Sequence, residues 1–299
     1  MKIISRRAAL SGLTAATTIL AAPACAQDGG GASSGLRIRS SDLATDRAGF
    51  HTHLLRVGPS PQQFESEPVP AGVEEVTFPS GGLALKAWFG RPPNAAGATP
   101  AVVFAHGGFA FGAEDFDMAR PYLAAGYAVI VPMVRGENGM PGNYTMFYDE
   151  VADVIAAAEY VRGLPNIDAS RIFLAGHSVG GTLSMLAAQS SPIFRASAAF
   201  SGSPDQILFC QAWTRIVPFD MSNPVELELR SPLAYAASFK APARLFHAMN
   251  EVYGPDTERT AQLARAAGKD VRAQGVAGDH FSAVPAAMQQ SIAFFRTQS

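Results

Sequence analysis

The stretch RIFLAGHSVGGTLSMLAAQS, residues 171–190, is the part of the sequence that decides the fold. It opens with an apolar run typical of a buried strand, RIFLAG (171–176), and closes with a run of helical spacing, VGGTLSMLAAQS (179–190). The junction matches the pattern Gly-x-Ser-x-Gly at residues 176–180. A tight strand-to-helix turn lifts a serine hydroxyl off the sheet and places it at the helix N-terminus, where developing negative charge is favoured. The stretch therefore predicts Ser178 as a nucleophile.

A second match to the same pattern, GASSG (31–35), would give Ser33 the same role. It follows no apolar strand and precedes no apolar helix, and it lies in the Gly- and Ser-rich run DGGGASSG (28–35). Such composition is typical of a flexible linker. We therefore assign Ser33 to a linker or N-terminal extension, predicted over residues 27–70.

Strand and helix patterns alternate through the main domain, predicted over residues 71–299. Strands are predicted at 73–78, 83–89, 101–105, 127–132, 171–176, 196–202, 243–249 and 271–276, and helices at 118–126, 149–165, 179–190, 256–268 and 285–298. This alternation predicts an α/β fold with a mostly parallel sheet and helices on both faces. The first two strands, separated by PSGG, predict an antiparallel pair at the sheet edge. Residues 203–242 interrupt the alternation and are predicted to form a short cap-like insertion over the carboxyl ends of the strands.

Composition limits the classes of function. The 299 residues are 48% hydrophobic and 16% charged, and the net charge of −2 comes without a long basic run, so nothing indicates nucleic-acid binding. The only cysteines are Cys25 and Cys210, and there is no CxxC or HExxH pattern. No disulfide, metal site or cofactor is therefore predicted, and Cys210 is interpreted as a small buried apolar side chain.

The N-terminus resembles an export signal, predicted over residues 1–26. Arg6 and Arg7 precede an apolar stretch that is too short and too rich in small residues to span a membrane. The arginine pair favours the twin-arginine route to the periplasm or the exterior. An ordinary secretory signal and a lipoprotein anchored through Cys25 remain alternatives.

A serine nucleophile needs a base, usually a histidine oriented by a carboxylate. In this architecture the chain order is serine, acid, histidine. Only His247 and His280 follow Ser178. His247 ends an apolar strand run and is interpreted as structural, whereas His280 lies in the loop GVAGDHFSAVP between the last strand and the last helix. We therefore predict His280 as the base.

Three carboxylates remain candidates for the acid. Glu251 is favoured because it lies near the end of the strand predicted at 243–249. Asp256 resembles a helix N-cap. Asp205 lies on the loop that follows the strand predicted at 196–202. Asp279 is adjacent to His280 in the chain and is sterically unsuited to orient its ring.

Acyl transfer also requires donors for the oxyanion of the tetrahedral intermediate. One predicted donor is the N–H of Val179, directly after the nucleophile. The other should come from the loop HGGF, which follows the strand AVVFA. We favour the N–H of Gly108, with those of Gly107 and Phe109 as alternatives. His106 is predicted to brace this loop rather than to take part in the chemistry.

Together these residues resemble the α/β-hydrolase superfamily, in particular the catalytic domain of prolyl-oligopeptidase-type serine peptidases and dienelactone-hydrolase-like esterases. The resemblance covers about residues 73–298 and rests on HGGF, RGENGMPGN, GHSVGG, LFHAMNE and GDHF. It implies Ser178 as nucleophile, Glu251 as acid and His280 as base. The sequence departs from the family at Glu251, where Asp is usual, and at Ala248, where Gly is usual.

The resemblance implies a serine hydrolase that cleaves an ester or a peptide bond through an acyl-enzyme. The chain leaves no room for the β-propeller that restricts large members of the family to oligopeptides, so their peptidase specificity does not transfer directly. The expected partner is a small ester or a short peptide, without nucleic acid or a membrane span, and the oligomeric state is not indicated. A carboxylesterase of small esters and a non-catalytic binding protein of the same fold remain alternatives.

Overall fold

The computed structural model describes residues 34–93 and 97–298. The predicted signal peptide, with Cys25, and the linker serine Ser33 lie outside the described residues. Within the described parts of the chain, no helix is long and apolar enough to cross a membrane.

A single eight-stranded sheet forms the centre of the described domain. Its strands are β1 (Val73–Ser80), β2 (Leu83–Gly90), β3 (Thr99–Ala105), β4 (Ala128–Pro132), β5 (Ile167–His177), β6 (Ala196–Phe200), β7 (Ala243–Ala248) and β8 (Val271–Val276). Their spatial order is β1-β2-β4-β3-β5-β6-β7-β8. Strands β1 and β2 are antiparallel at one edge, β2 pairs antiparallel with β4, and the other pairs are parallel. The predicted mostly parallel sheet with an antiparallel edge is confirmed.

Helices cover both faces of this sheet. They are α1 (Leu43–Ala48), α2 (Ala113–Ala124), α3 (Glu150–Arg162), α4 (Val179–Ser190), α5 (Gln206–Ala212), α6 (Pro224–Glu228), α7 (Gly254–Ala266) and α8 (Val284–Arg296). Phe116 of α2 and Phe295 of α8 pack in one apolar cluster, whereas α3, α4 and α7 contribute to the other. All residues of β4 and of β6 are buried, as expected for strands covered on both faces.

Helix α2 begins five residues before the predicted start at residue 118. Its first turn is polar, and there the Asp115 carboxylate accepts the N–H of Gly112 at 2.9 Å. Apolar periodicity cannot detect a turn that is held by a polar cap of this kind.

The described part of the predicted linker or N-terminal extension, residues 34–70, contacts the domain at several points, although residues 61–69 are exposed. It contains the unpredicted helix α1, in which Leu43 is completely buried. Further along, Leu54 forms an isolated bridge with Phe219 of the cap-like insertion. Apolar residues are too sparse in this segment to show the strand period of 2 or the helix period of 3.6. The sequence pattern therefore could not predict helix α1 or these contacts.

The cap-like insertion at residues 203–242 follows β6 at the carboxyl edge of the sheet and contains α5 and α6. Its centre is a completely buried ion pair, in which Arg230 Nη1 lies 2.5 Å from Glu226 Oε2. Arg230 also donates to the hydroxyl of Thr52 at 2.7 Å, and Glu226 accepts the N–H of His53 at 2.7 Å. These contacts bind the insertion to the N-terminal extension.

Candidate active site

Ser178 lies at the tip of the turn between β5 and α4, with φ 57° and ψ −119°. This conformation is costly for a residue with a side chain and persists only where its surroundings enforce it. Here the Ser178 N–H donates to the carbonyl of Phe200 at 2.9 Å, and its carbonyl accepts the N–H of Thr182 at 3.1 Å. The turn is therefore held from both sides, by the neighbouring strand and by the first turn of the helix.

The two glycines of the pattern are required by close backbone contacts. A Cβ at Gly180 would lie 1.9 Å from the carbonyl oxygen of Ala105, at the end of β3. A Cβ at Gly176 would lie 2.4 Å from the carbonyl oxygen of Gly180. Neither position has room for a side chain. Because both residues are glycine, helix α4 can begin directly against the sheet and present Ser178 at its first turn.

Three side chains form a continuous hydrogen-bonded chain at the carboxyl edge of the sheet. His280 Nε2 lies 2.9 Å from Ser178 Oγ, and His280 Nδ1 lies 3.0 Å from Glu251 Oε2. The other carboxylate oxygen of Glu251 accepts the N–H of Ala248 at 2.8 Å. The Glu251 side chain is only 7% exposed, and that of His280 is 30% exposed. The structure thus brings together the predicted nucleophile, base and favoured acid, with the base still open to solvent.

The two alternative acids make other contacts. Asp205 caps α5 by accepting the N–H of Ile207 at 2.8 Å. Asp256 lies in the first turn of α7, where burial and then the charge of Asp205 raise the pKa of its carboxyl. Among the described residues, neither carboxylate is hydrogen-bonded to His280, which leaves Glu251 as the acid in contact with its ring.

Two neighbours that the sequence analysis did not assign to the site hold the His280 loop. The Asp279 carboxylate accepts the N–H groups of Phe281 at 3.1 Å and Ser282 at 2.9 Å, closing a tight turn around His280. His177 Nε2 donates to the carbonyl of His280 at 2.8 Å. Burial, and secondarily the charge of His280, lower the pKa of His177 to about 4. Near neutral pH His177 is therefore an uncharged donor that fixes the backbone of the base.

Backbone N–H groups reach the nucleophile from two directions. Val179 begins α4 immediately after Ser178. The HGGF loop passes beside the serine, because a Cβ at Gly107 would lie 3.6 Å from Ser178 Cβ. Neither the N–H of Val179 nor that of Gly108 has an acceptor among the described residues. Both groups are therefore available to donate to an oxyanion formed at Ser178.

The N–H of Phe109, an alternative donor in the sequence analysis, has a partner. It donates to the side-chain oxygen of Gln62 at 2.9 Å. Gln62 belongs to the N-terminal extension, and no sequence pattern associated it with the HGGF loop. Phe109 is therefore not available as an oxyanion donor, whereas the N–H groups of Gly107 and Gly108 both lack an acceptor among the described residues.

His106, at the start of this loop, is buried in an ion pair. Its Nε2 lies 2.9 Å from Glu137 Oε2, and both side chains are 4% exposed. Its Nδ1 lies 2.8 Å from the carbonyl oxygen of Gly107. Burial opposes protonation of His106, but the charge of Glu137 and its hydrogen bond outweigh burial and raise the pKa to about 10. The charged ring ties the HGGF loop to the RGENGMPGN loop, in keeping with the bracing role predicted from sequence.

The raised pKa of His106 makes the stability contributed by this pair depend on pH. Because folding raises this pKa from 6.5 to about 10, the contribution is complete below pH 6.5 and is lost as the pH rises towards 10. We expect the difference in unfolding free energy between the wild type and His106→Gln to shrink steadily from pH 6.5 to 10, measured by urea denaturation. The exposed His51, changed to Gln, is the control. A difference that stays constant or grows over this range would contradict the assignment.

The remaining residues singled out from the sequence lie away from this hydrogen-bonded chain. His247 Nε2 lies 3.3 Å from Glu258 Oε1 on α7. Cys210 is completely buried, and burial raises the pKa of its thiol to about 12. Within residues 34–93 and 97–298, no group of three His, Cys, Asp or Glu side chains is arranged to hold a metal ion.

The sheet topology, the strained serine turn and the free N–H groups beside it define an α/β hydrolase. The sequence profile of the prolyl oligopeptidase family matches residues 114–293, more than half of the chain, so the protein belongs to that family.

Several proteins are similar to this chain. The uncharacterized peptidase YuxL of Bacillus subtilis is 29% identical over 198 residues, which are 58% of this chain and 30% of YuxL. A puromycin-hydrolyzing peptidase from Mycobacterium tuberculosis aligns with a TM-score of 0.67 at 23% identity, over 75% of this chain and 39% of that one. A Klebsiella pneumoniae protein described as a dienelactone hydrolase aligns at 0.58 and 20% identity, over 75% of this chain and 98% of that one. This chain thus spans less than half of either peptidase, and the two structures share its fold.

Proposed function

We propose that this protein is a serine hydrolase that cleaves an ester or amide bond through an acyl-enzyme formed on Ser178, with His280 as base and Glu251 as acid. The observation that carries the proposal is the hydrogen-bonded chain from Ser178 Oγ to His280 Nε2, at 2.9 Å, and from His280 Nδ1 to Glu251 Oε2, at 3.0 Å. These lengths suit proton transfer from the hydroxyl to the ring and stabilisation of the resulting imidazolium.

The reaction would proceed in two halves. Ser178 Oγ attacks the substrate carbonyl while His280 Nε2 takes the hydroxyl proton, and the N–H groups of Val179 and Gly108 donate to the oxyanion. The imidazolium then gives its proton to the leaving alcohol or amine, and the acyl-enzyme forms. Water then attacks the acyl-enzyme while His280 takes a proton from it, and the imidazolium returns this proton to Ser178 Oγ as the acyl–oxygen bond breaks and the carboxylic acid leaves. Glu251 keeps the His280 proton on Nδ1 and so leaves Nε2 free to accept.

The proposed substrate is a short peptide or amide, because the chain belongs to a family named for oligopeptide cleavage and is similar to peptidases. A carboxylesterase acting on small esters is the second candidate. One comparison favours it: the alignment covers 98% of the protein described as a dienelactone hydrolase, but only 39% of the puromycin-hydrolyzing peptidase.

A chromogenic panel distinguishes these candidates. The purified protein and Ser178→Ala are tested on p-nitrophenyl esters of two to eight acyl carbons and on p-nitroanilides of short peptides, including Xaa-Pro. We expect turnover of at least one class, lost in the variant. Faster turnover of esters on a kcat/KM basis would assign the esterase. No turnover together with no labelling by a fluorophosphonate would favour a non-catalytic binding protein of this fold.

We also propose that residues 1–26 direct export by the twin-arginine route, on the strength of Arg6, Arg7 and the short apolar stretch after them. Expression of the full chain in a Gram-negative host, with and without Arg6→Lys and Arg7→Lys together, tests the route. A processed periplasmic form that is lost in the double variant is expected. Processing that persists in the double variant would indicate an ordinary secretory signal, and a lipid-modified Cys25 found by mass spectrometry would indicate a lipoprotein.

A further inference from the structure

Both backbone groups of Phe109, in the HGGF loop, are bound by side chains from the N-terminal extension. The Phe109 N–H donates to Gln62 Oε1 at 2.9 Å. The Phe109 carbonyl accepts a hydrogen bond from the hydroxyl of Ser60. Residues two positions apart in the extension therefore fix the orientation of Phe109 from both sides.

The extension is itself anchored at this point. The N–H of Ser60 donates to the carbonyl of Gly136 at 2.9 Å, and the N–H of Tyr144 donates to the carbonyl of Gly58 at 2.9 Å. Both partners belong to the loop between β4 and α3. These hydrogen bonds fix the backbone just before Gln62. Although Gln62 is exposed, its side chain can therefore hold the HGGF loop.

Gln62 also lies directly against the favoured oxyanion donor. A Cβ at Gly108 would be 2.9 Å from Gln62 Oε1, and Gly108 has φ +67°. The residue is thus in the left-handed conformation and needs to lack a side chain for Gln62 to approach. The hydrogen bond from the Phe109 N–H to Gln62 fixes the peptide group between Gly108 and Phe109. It also occupies the Phe109 N–H, which would otherwise compete with Gly108 as an oxyanion donor.

We propose that Gln62 is a positioning residue of the oxyanion hole: it takes up the Phe109 N–H and holds Gly108 in the conformation in which its own N–H serves the oxyanion. This inference rests on the proposed function, because it concerns the same reaction at Ser178. In this role Gln62 acts through the backbone of Phe109. Its effect should therefore appear in the transition state, where negative charge develops, and not in ground-state binding.

The test replaces Gln62 by Met, which keeps the length of the side chain and removes the strong acceptor. Loss of an oxyanion donor costs about 100-fold or more in kcat, so misplacement of one should cost about 10-fold. We expect Gln62→Met to lower kcat about 10-fold with KM changed less than about 2-fold, a split that marks loss of an interaction made in the transition state. The adjacent exposed Gln63, changed to Met, is the matched control and should keep wild-type kinetics.

A second readout separates positioning from a general structural defect. A boronic acid that forms a tetrahedral adduct on the nucleophile should bind Gln62→Met about 10-fold more weakly, while the thermal midpoint of unfolding stays at the wild-type value. Unchanged kcat in Gln62→Met, a rise in KM alone, or a loss of activity matched by a lower thermal midpoint would each overturn the inference. A wild type that is neither active nor labelled by a fluorophosphonate would instead refute the proposed function.

Discussion

Replacing Ser178 by Ala is expected to lower kcat/KM by about 10⁶-fold on any substrate the wild type hydrolyses. The substitution removes the only atom of the hydrogen-bonded chain that can form the acyl-enzyme, and it leaves the oxyanion donors and the binding site in place. The residual rate should therefore remain above that of water alone. Steady-state kinetics on purified protein measures the loss, and circular dichroism verifies that the variant is folded.

The sequence itself offers a matched control. Ser33 lies in the other Gly-x-Ser-x-Gly match, so Ser33→Ala removes a serine from the same local pattern. We expect this variant to keep wild-type kcat and KM. Loss of activity in Ser33→Ala, or retained activity in Ser178→Ala, would show that the nucleophile has been assigned wrongly.

Replacing Glu251 by Gln is expected to lower kcat by about 10⁴-fold, with KM little changed. The Ala248 N–H, which donates to Glu251 Oε1 at 2.8 Å, will hold the oxygen of the new amide. The amide nitrogen then faces His280 Nδ1 and donates to it. The ring must therefore carry its proton on Nε2, the tautomer that cannot accept a proton from Ser178.

The other two acids serve as controls for this prediction. Asp256→Asn and Asp205→Asn should each keep kcat within about 3-fold of the wild type, since neither carboxylate contacts His280 and distant changes act independently. Because Asp205 caps α5, the thermal midpoint of its variant is measured alongside. A large loss of kcat in either Asp variant, combined with an active Glu251→Gln, would move the acid away from Glu251.

The parts of the structure that sequence could predict are those governed by local burial. Helix α4 occupies 179–190, the predicted range, because its glycines and its run of small apolar residues allow only one close approach to the sheet. The fully buried strand β4 is likewise recognisable as a short apolar run, and β6 as a short run of small and apolar residues. The order of elements then limits which loops meet at the carboxyl edge, which is why His280 could be singled out.

The remaining features depend on polar contacts between residues far apart in the chain. Gln62 and Phe109 are separated by 47 positions, and His177 and the carbonyl of His280 by 103. A contact between one polar side chain and one backbone group leaves neither a periodic pattern nor a compositional bias in the sequence, so it cannot be recognised there. The choice of Glu251 over Asp256 likewise required distances, since both lie on the segment after β7.

Intact-mass and peptide-mapping analysis after reaction with a fluorophosphonate tests the central claim most directly, because it reports covalent chemistry at one atom without needing the natural substrate. We predict that the wild type gains one phosphonyl group, located on Ser178, and that His280→Ala slows the labelling by at least about 10³-fold. A wild type left unlabelled while a control hydrolase reacts, or an adduct on a residue other than Ser178, would contradict the account.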